Sequence, residues 1–344
     1  MTYLLDRPEL GGGTKVVLQQ ARLLGQRGHS VTVAAQATQP AWIAPWIQPP
    51  VRFVDLSDAK ETLPSQDLVV ATFWSTIARA EELAAGPVAH FCQGFEEDLA
   101  HLEPQREAIR AAYRRPHPAL VVAPHLGLRL REQFGLDSRL APAPADRSVA
   151  RRPRRAPRQS PWIALSGIFE AEVKGIRTGL EALTALAAAA PDGLAPRLLR
   201  ISALPCSEAE HALHTAARYL SAVSPGRALS AVAGCDLLLF TSRPGEGFGL
   251  PLLEAMQLGV PAVASRLPGV EFMTAGGGAR LVAPGDSTAM AAAAAELLES
   301  PAAWRAQRRR GVAAAARFAP ERVVLEIEEA LAWAASAGAG VSPS

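Results

Sequence analysis

The stretch PGEGFGLPLLEAMQLGVPAVAS, residues 244–265, contains the pattern that decides the fold. Pro251 stands where proline commonly starts a helix, and Gly259 stands where glycine commonly ends one. The apolar run VPAVAS at the end of the stretch predicts a buried strand, and the run CDLLLFTS at 235–242 predicts another just before it. The stretch therefore predicts a strand, loop, helix and strand of a parallel α/β sheet.

The loop 242–250 joins the carboxyl end of the first of these strands to the start of the helix. Ligands of open α/β sheets bind at that edge, and the backbone N–H groups of a helix N-terminus favour an anion. The N–H groups that we expect to point outward belong to Gly247, Phe248, Gly249 and Leu250. The loop therefore predicts a site for a negatively charged group such as a diphosphate.

Two carboxylates flank this glycine loop, Glu246 on the loop and Glu254 inside the helix, with seven residues between them. Glu254 has the acceptor oxygens to bind both hydroxyls of a vicinal diol such as a ribose, while Glu246 would reach the opposite side of the same ligand. The alternative is that two acids near a helix start are only favourable partners of the helix dipole. Their combination with the double-glycine loop, Phe248 and Pro251 favours a nucleotide-sugar site.

Both halves of the chain alternate between short β-branched runs and helical segments, as parallel-sheet proteins do. The predicted strands are TYLL, SVTVAA, VRFVDL, DLVVATF, PVAHFC and ALVVAP in the first half, and WIALSG, RLLRISAL, CDLLLFTS, VPAVAS and ARLVAP in the second. The first predicted helix has Thr14 as its N-cap and Gly28 at its C-terminal end. A length of 344 residues with 49% hydrophobic content suggests two domains.

Residues 141–161, APAPADRSVARRPRRAPRQSP, have the composition of a linker between the two halves. We interpret its arginine cluster as a solvated, self-repelling hinge, and the alternative is contact with an anionic lipid or a polyanionic acceptor. The cluster comprises Arg151, Arg152, Arg154, Arg155 and Arg158. The basic segment 104–115 has the same two interpretations. The whole chain carries a net charge of only +2, so we expect no nucleic-acid partner.

The N-terminus and the cysteines bear on the compartment. MTYLLDRPEL lacks a basic leader followed by a long apolar stretch, and the sequence has no run of 18 apolar residues. We therefore expect a cytoplasmic protein, with peripheral contact at an anionic inner membrane face as an option. Cys92, Cys206 and Cys235 show neither CxxC nor Cys/His metal spacing, and we interpret all three as small buried side chains.

The first half offers a second set of candidate residues at the ends of its strands. Gly11, Gly12 and Gly13 allow close approach of the backbone to a ligand, and a bare tight turn is an equal alternative. Their spacing is not GxGxxG, so a dinucleotide fingerprint is a weak match. The candidates to line an acceptor pocket are Trp74, Gln93, Glu96 and His125. A histidine in such a position is more often structural than a general base, and we interpret His90 and His125 in that way.

Taken together, these motifs resemble those of the retaining GT-B glycosyltransferases of family 4, whose signature has two glutamates separated by seven residues. EGFGLPLLEAM followed by GVPAVAS carries the resemblance. GGGTKVV and RGHSVTV are similar to the family's glycine loop and first helix, VVAPH and LREQFGL to the end of its first domain, and LVAPGDSTAMAAAAAELL to its late helix. The resemblance implies an α/β fold of GT-B architecture, with two Rossmann-like domains facing across a cleft.

The same resemblance organises the chain into a donor side and an acceptor side. Residues 1–145 are the expected acceptor-side domain, 146–161 the linker, and 162–319 the nucleotide-sugar-binding domain. Residues 320–336 are expected to form a helix that returns to the first domain, and 337–344 a flexible tail.

SGIFEAEVKGI, residues 166–176, resembles the family's phosphate loop, which carries an Arg just after the glycine and a Lys six residues later. Lys174 keeps the second cation, but Ile168 replaces the first, so Arg177 or Arg243 would have to substitute, or Lys174 and the helix dipole would suffice. The resemblance implies that Lys174 stabilises the leaving diphosphate and that Glu246 positions the sugar without acting as a nucleophile. The implied donor site comprises Gly12, Gly13, Lys174, Glu246, Gly247, Phe248, Gly249, Leu250 and Glu254.

We therefore expect a glycosyltransferase that moves a sugar from a nucleoside-diphosphate sugar to a hydroxyl of a glycan, glycolipid or small molecule, without a cofactor. A metal is not expected, because DLSD at 55–58 has the wrong spacing for an Asp-x-Asp motif. One alternative is a catalytically impaired sugar-nucleotide-binding or scaffold protein, which Ile168 would fit. Another is a different GT-B enzyme such as a sugar-nucleotide epimerase, which would need further carboxylates and histidines.

Overall fold

The computed structural model describes residues 1–57, 63, 66–189 and 195–338. They form two compact units, each built on a parallel β-sheet. The first unit contains residues 1–144 and the C-terminal segment that starts at Phe318, and the second contains Ala145–Arg317. Asp58 of the DLSD segment and most of the predicted tail lie outside the described residues.

The first sheet has seven parallel strands in the order β3-β2-β1-β4-β5-β6-β7. They are β1 Thr2–Leu4, β2 Val31–Ala35, β3 Val51–Asp55, β4 Val69–Ala71, β5 Val88–Cys92, β6 Ala119–Val121 and β7 Ser138–Leu140. The connecting α-helices are α1 Gly12–Gln26, α2 Thr76–Leu83, α3 Arg106–Tyr113 and α4 Pro124–Phe134. The order reverses between the neighbours β1 and β4, so the first sheet has a switch point there.

Helix α1 follows β1 directly and buries Val17, Leu18, Ala21 and Leu24, which share one face at helical spacing. Its N-cap is Gly11, whose backbone is extended and which supplies no side-chain hydrogen bond. The prediction of Thr14 as the N-cap is therefore wrong, because the helix already begins at Gly12, two residues before Thr14.

The second sheet has six parallel strands in the order β10-β9-β8-β11-β12-β13. They are β8 Trp162–Ser166, β9 Arg197–Ser202, β10 Arg218–Ser221, β11 Leu237–Phe240, β12 Ala262–Ser265 and β13 Arg280–Val282. The α-helices of this unit are α5 Ile176–Ala189, α6 Glu208–His211, α7 Pro225–Val232, α8 Leu250–Leu258, α9 Pro268–Met273, α10 Ser287–Glu299 and α11 Pro301–Ala315. The last helix, α12 Pro320–Gly338, belongs to the first unit.

The core of the second unit forms where α5 and α10 cover β8 and β11. Leu165 and Leu239 are fully or almost fully buried, and they lie side by side because β8 and β11 pair in parallel register. Burying such side chains contributes roughly 1.5–3 kcal/mol each relative to leaving them exposed. This packing fixes the carboxyl ends of β8 and β11 next to each other, and the loops that follow these two strands form the candidate site.

The arginine-rich segment is hydrogen-bonded to the second unit, so the interpretation as a self-repelling hinge is wrong in that respect. The Arg154 side chain is only 13% exposed and lies 2.6 Å from Asp236. Arg305 and Arg308 donate hydrogen bonds to the backbone carbonyls of Arg155 and Arg152, at 3.0 and 2.8 Å. The guanidinium groups of Arg151, Arg152, Arg154 and Arg158 also donate to backbone carbonyls of the second unit.

Two findings bear on the compartment predictions. Cys92 and Cys235 are buried as predicted, whereas Cys206 is exposed and its prediction is wrong, because it lies in the short loop before α6. Among the described residues, no helix has the length and apolar character needed to cross a membrane.

Candidate functional site

The switch point of the second sheet lies between β8 and β11, where the strand order reverses. The loop after β8 carries Gly167, Ile168 and Lys174, and the loop after β11 carries the glycine-rich segment that includes Glu246. A crevice beyond the carboxyl ends of strands at such a point is the usual ligand site of a doubly wound sheet. The sequence motifs that predicted a donor site thus belong to two adjacent loops.

An ion pair joins these two loops, with Lys174 Nζ 2.7 Å from Glu246 Oε2. The backbone carbonyl of Lys174 accepts a hydrogen bond from Thr241 Oγ1 at 2.8 Å, and the carbonyl of Val173 accepts one from the Arg243 amide at 2.8 Å. Gly175 has φ +57, and a Cβ atom there would overlap with the Thr241 carbonyl. Lys174 is therefore held against the second loop by its backbone as well as by its charge.

Glu246 is oriented by two donors that both reach the same oxygen. Ser242 Oγ donates to Oε2 at 2.9 Å, and Lys174 Nζ donates to that oxygen too. Neither of them, nor any other described residue, donates a hydrogen bond to the second oxygen, Oε1. The Glu246 side chain is 13% exposed and that of Lys174 is 37% exposed. Both groups are therefore accessible to a small ligand, with one carboxylate oxygen and two ammonium N–H groups left for it.

The glycine loop leads into α8, with Gly249 as the N-cap of this helix. Gly249 has φ +95 and stands against the Phe240 ring, so a side chain at this position would be strained and crowded. Phe248 is buried, and Pro251 occupies the first turn of α8 as predicted. Among the described residues, the amides of Gly247 and Gly249 have no carbonyl partner. The two amides lie at the positive end of the α8 dipole, where N–H groups favour an anion.

Glu254 lies one turn inside α8 and is half-buried. Helix α8 runs from Leu250 to Leu258, with Pro251 in its first turn and Gly259 as its C-cap at φ +69, so the predicted start and end signals of this helix are confirmed. Of the two candidates to replace the missing arginine, Arg177 lies in the first turn of α5, just after the loop of Lys174, and Arg243 lies in the loop after β11. Arg177 has its guanidinium carbon 5.6 Å from the centre of the Phe169 ring, and Arg243 is exposed beside Gly175.

Sequence reasoning missed a fully buried cation in the adjacent strand β9. Arg200 Nε lies 2.6 Å from Glu210 Oε1, and Nη1 donates to the carbonyls of Leu165 and Ile201 at 3.3 and 2.7 Å. The Ile201 carbonyl also accepts a hydrogen bond from the Gly167 amide at 3.0 Å. Arg200 and the first residue of the loop that carries Lys174 thus share one acceptor, the Ile201 carbonyl. The only sequence signal for it was a charge inside the apolar run RLLRIS.

In the first unit, the structure joins two of the predicted residues at the start of α1. Gly12 and Gly13 form the first turn of this helix, and Gln93 Nε2 donates to the Gly13 carbonyl at 3.3 Å. A Cβ atom at Gly13 would lie 3.4 Å from Gln93 Nε2, so this glycine allows the close approach of Gln93. Gly13 is therefore linked to the candidate acceptor residue Gln93, and Gly12 precedes it in the same turn.

Glu96 is a buried carboxyl group that accepts a hydrogen bond from the Tyr113 hydroxyl. Burial raises the pKa of Glu96 from its ordinary 4.5 to about 7, and the hydrogen bonds from Tyr113 and the Trp74 backbone oppose that rise. Trp74 and Glu96 are thus brought together. His90 packs on Tyr113, and burial lowers its pKa to about 3, so it is neutral.

His125 stands at the second position of α4, and it is not connected to Glu96 by any hydrogen bond among the described residues. Burial lowers its pKa, with Arg129 as a second cause. Its Nδ1 atom and Trp74 Nε1 are buried and have no partner among the described residues. Both are therefore groups that a polar ligand at this edge of the sheet could satisfy.

The Glu96 geometry predicts a loss of stability between pH 5 and pH 7.5. The pKa is higher in the folded chain than in the unfolded chain, so the folded state retains the proton over this range and stability falls as pH rises. One pKa unit corresponds to about 1.4 kcal/mol, so the expected fall is about 1–3 kcal/mol. Hydrogen exchange of peptides from β5 and α3 at pH 5, 6, 7 and 8, corrected for the intrinsic exchange rate, measures it. Glu96→Gln, which remains neutral, should flatten the profile. An unchanged pH profile in Glu96→Gln would assign the fall to other groups.

Among the described residues, no group of three or more His, Cys, Asp or Glu side chains is arranged to hold a metal ion. In the candidate site of the second unit, the ammonium group of Lys174 and the backbone N–H groups at the start of α8 are the groups suited to an anion.

Solved structures with the same fold cover nearly the whole chain. Sucrose-phosphate synthase from Thermosynechococcus elongatus has a TM-score of 0.76 at 17% identity, over 95% of this chain and 97% of that one. HepE from Anabaena, in complex with UDP-glucose, has a TM-score of 0.73 at 16% identity, over 96% and 99%. WaaG, a glycosyltransferase involved in lipopolysaccharide biosynthesis, has a TM-score of 0.66 at 13% identity, over 99% and 100%. The chain therefore has the α/β GT-B architecture that the sequence predicted.

The sequence of the second unit also matches a model of a protein family. Residues 160–300, which contain both loops of the candidate site, match the family described as "Glycosyl transferases group 1". No curated protein sequence matches the chain. Residues 160–300 are thus similar to the group 1 glycosyltransferases, and the chain as a whole has the GT-B architecture.

Proposed function

We propose that this protein transfers a sugar, with retention of its anomeric configuration, from a nucleoside-diphosphate sugar to a hydroxyl group of an acceptor. The observation that carries the proposal is the Lys174–Glu246 ion pair at the switch point of the second sheet, next to the amides that enter α8. This arrangement offers a cation and N–H groups for a diphosphate, and a fixed carboxylate for sugar hydroxyls.

Lys174 is the proposed catalytic cation. Its ammonium group has three N–H donors, and Glu246 takes one of them, so two remain for oxygens of the leaving diphosphate. Negative charge builds on those oxygens as the bond to the sugar breaks. A preorganised cation and the amides of Gly247 and Gly249 stabilise that charge without having to reorganise.

Glu246 is the proposed positioning group for the sugar. Its Oε2 atom is occupied by Lys174 and Ser242, and an ionised carboxylate held by two donors is a poor nucleophile. Oε1 remains to accept a hydrogen bond from a sugar hydroxyl. The donor's own phosphate would then take the acceptor proton on the same face of the sugar, which leads to retention.

Cofactor independence and metal independence are part of the proposal. In the described residues, the positive charge near the proposed diphosphate site comes from Lys174, Arg177, Arg243 and the start of α8. These groups supply the positive charge that a metal ion would otherwise supply. The only co-substrate required is the nucleoside-diphosphate sugar.

The acceptor is proposed to bind the first unit, at the ends of β4, β5 and β6. Trp74 and Glu96 lie together there, and Gln93 contacts the turn of Gly13. Trp74 Nε1 and His125 Nδ1 are buried donors or acceptors suited to the hydroxyl groups of a glycan, a glycolipid or a small molecule. We place the reaction in the cytoplasm, with peripheral contact at the inner membrane face if the acceptor is lipid-linked.

The experiment that tests the function is a thermal-shift panel with UDP, GDP, dTDP and ADP, followed by transfer assays with the matching sugars. A ligand that binds only the folded chain raises its melting temperature by mass action. HepE was solved with UDP-glucose, so UDP and UDP-glucose are the first pair to test. No shift with any of the four diphosphates would contradict the donor site.

Glu254→Ala should weaken nucleoside-diphosphate binding by about 1.5–3 kcal/mol, the range for hydrogen bonds to a charged group. The reason is the loss of the carboxylate that we assign to the ribose diol. Isothermal titration of the preferred diphosphate measures the change, with the exposed acid of α9, Glu271→Ala, as the matched control. Equal affinity in folded Glu254→Ala and wild type would remove Glu254 from the donor site.

Ile168 favours a second candidate, a sugar-nucleotide-binding protein without transfer activity. This side chain stands at the loop of the proposed diphosphate site and contributes no charge. The two candidates separate in one assay, because a binding protein would show the thermal shift but neither transfer nor slow hydrolysis of the donor.

A further inference from the structure

A cavity of about 230 Å³ lies at the amino edge of the second sheet, where β8, β9 and β10 begin. Its lining includes Arg152, Arg158 and Arg218 together with Trp162, Gly234 and Cys235. The loops that carry Lys174 and Glu246 follow the carboxyl ends of the strands, so this cavity is at the opposite edge of the same sheet. The proposed glycosyl transfer does not use it.

The charge of this cavity is strongly positive. Three guanidinium groups line it, and none of the described residues that line it is acidic. The nearest carboxylate, Asp236, has a fully buried side chain and is already bound by Arg154, Arg158 and the Trp162 amide. Burial raises the pKa of the Cys235 thiol to about 12, so the thiol adds no negative charge.

The arginines also retain unused hydrogen-bond donors. Arg158 uses Nη1 for the Gly234 carbonyl at 3.0 Å and for Asp236 at 2.7 Å, and its side chain remains 42% exposed. Arg152 has only a long contact of 3.4 Å to the Ser230 carbonyl. The backbone of Arg218 belongs to the β9–β10 ladder, but its side chain makes no hydrogen bond or ion pair with any described residue. Since each guanidinium has five N–H donors, most of those in the cavity are available to a ligand.

A simpler account is that the arginines only bind the free carbonyls at the C-terminal end of α7. It explains Arg154, which is largely buried on the carbonyls of Gly234 and Cys235. It does not explain Arg218, which projects from the edge strand β10 and reaches no carbonyl among the described residues. Arginines from β10 and from the arginine-rich segment line the same cavity, and binding to the α7 carbonyls does not explain why they meet there.

We propose that this cavity binds a small anion with one or two phosphoryl groups. The planar fork of a guanidinium matches the oxygens of a phosphoryl group, and Arg158 is already held in place by Asp236. The volume is below the roughly 300–1,000 Å³ of sites for drug-sized ligands, which suits a compact anion. The concave shape favours a soluble molecule over a flat lipid surface.

Isothermal titration of the full-length protein with inorganic pyrophosphate tests the site. The variant Arg152→Gln/Arg218→Gln removes two guanidinium groups that form no short contacts in the fold, so it should remain folded, which a thermal melt checks. Losing hydrogen bonds to a charged group should lower pyrophosphate affinity by at least about tenfold. Arg227→Gln, an exposed arginine of α7 outside the cavity, is the matched control and should stay within about twofold.

Lys174→Ala separates the cavity from the proposed donor site, because it should reduce pyrophosphate binding there and leave the cavity intact. Retention of one pyrophosphate site in Lys174→Ala, and its loss in Arg152→Gln/Arg218→Gln, supports the proposal. Equal affinities in all variants, or a loss confined to Lys174→Ala, would overturn it. Sedimentation with phosphatidylglycerol vesicles that depends on Arg152 and Arg218, without any pyrophosphate binding, would overturn it in favour of a lipid contact.

Discussion

Replacing Lys174 by alanine should lower the rate of sugar transfer by about 10²-fold or more, the scale for losing one preorganised electrostatic donor. The effect should be large because Ile168, in the same loop, contributes no charge, so more of the diphosphate charge falls on Lys174. Binding of the sugar-free nucleoside diphosphate should change less, since the transition state carries more charge on these oxygens than the ground state. Single-turnover transfer with the preferred donor measures the rate.

The control must separate a lost cation from an exposed anion, because removing Lys174 also leaves Glu246 without its 2.7 Å partner. Lys174→Ala/Glu246→Gln removes the unpaired charge, and its reference is Glu246→Gln alone, which lacks the same carboxylate but keeps the cation. A rate that is lower in the double variant than in Glu246→Gln assigns the loss to the cation. Arg266→Ala, which breaks an exposed ion pair of the same unit, should leave the rate unchanged. Equal rates in wild type and Lys174→Ala would exclude Lys174 from the mechanism.

Helix α8 could be predicted closely, because its start and end depend on local chemistry. Pro251 favours the first turn, and Gly259 takes the left-handed conformation at φ +69 that ends a helix. Strands β7 and β10 were missed for the opposite reason. They are edge strands of three and four residues, SRL and RYLS, and they carry too few apolar residues to show a period.

The contact between Lys174 and Glu246 could not be predicted by spacing, because the two residues are 72 positions apart. Each was recognised in its own motif, but their distance depends on β11 pairing with β8. The same holds for Ser242, whose hydroxyl orients Glu246 from only four positions away. A serine after a strand has no distinctive signal until the loop geometry is known.

The arginine-rich segment shows a limit of compositional arguments. Prolines and arginines predicted a solvated hinge, and composition alone contains no information about Asp236, the buried carboxylate that two of the arginines bind. A buried acid requires partners, and flexible guanidinium groups on a neighbouring segment are able to supply them. The position of the segment therefore follows from an acid more than 70 residues further along the chain.

Arg200→Met should destabilise the second unit by about 3–5 kcal/mol, the range for breaking a buried ion pair from one side. Methionine fills most of the space of the arginine stem, but it leaves Glu210, only 4% exposed in its side chain, without its cation at 2.6 Å. It also removes the donors to the Leu165 and Ile201 carbonyls at the ends of β8 and β9.

The consequence should be local, because Ile201 also holds the Gly167 amide at the start of the loop that carries Lys174. Hydrogen exchange of the full-length protein is the suitable measurement, since a chain of two units does not unfold in one two-state step. Peptides from β8 and β9 should lose protection in Arg200→Met, while peptides from β1 and β2 in the first unit provide the internal reference.

Two further variants distinguish the buried charge from a packing defect. Arg200→Met/Glu210→Leu replaces the pair by apolar groups and should recover most of the lost protection, because an ion pair in the interior often contributes little over well-packed apolar side chains. Arg266→Met, from an exposed pair, should cost no more than about 1 kcal/mol. If Arg200→Met and the double variant lose the same protection, the cost comes from the shape of the site, and the unpaired Glu210 is not its cause.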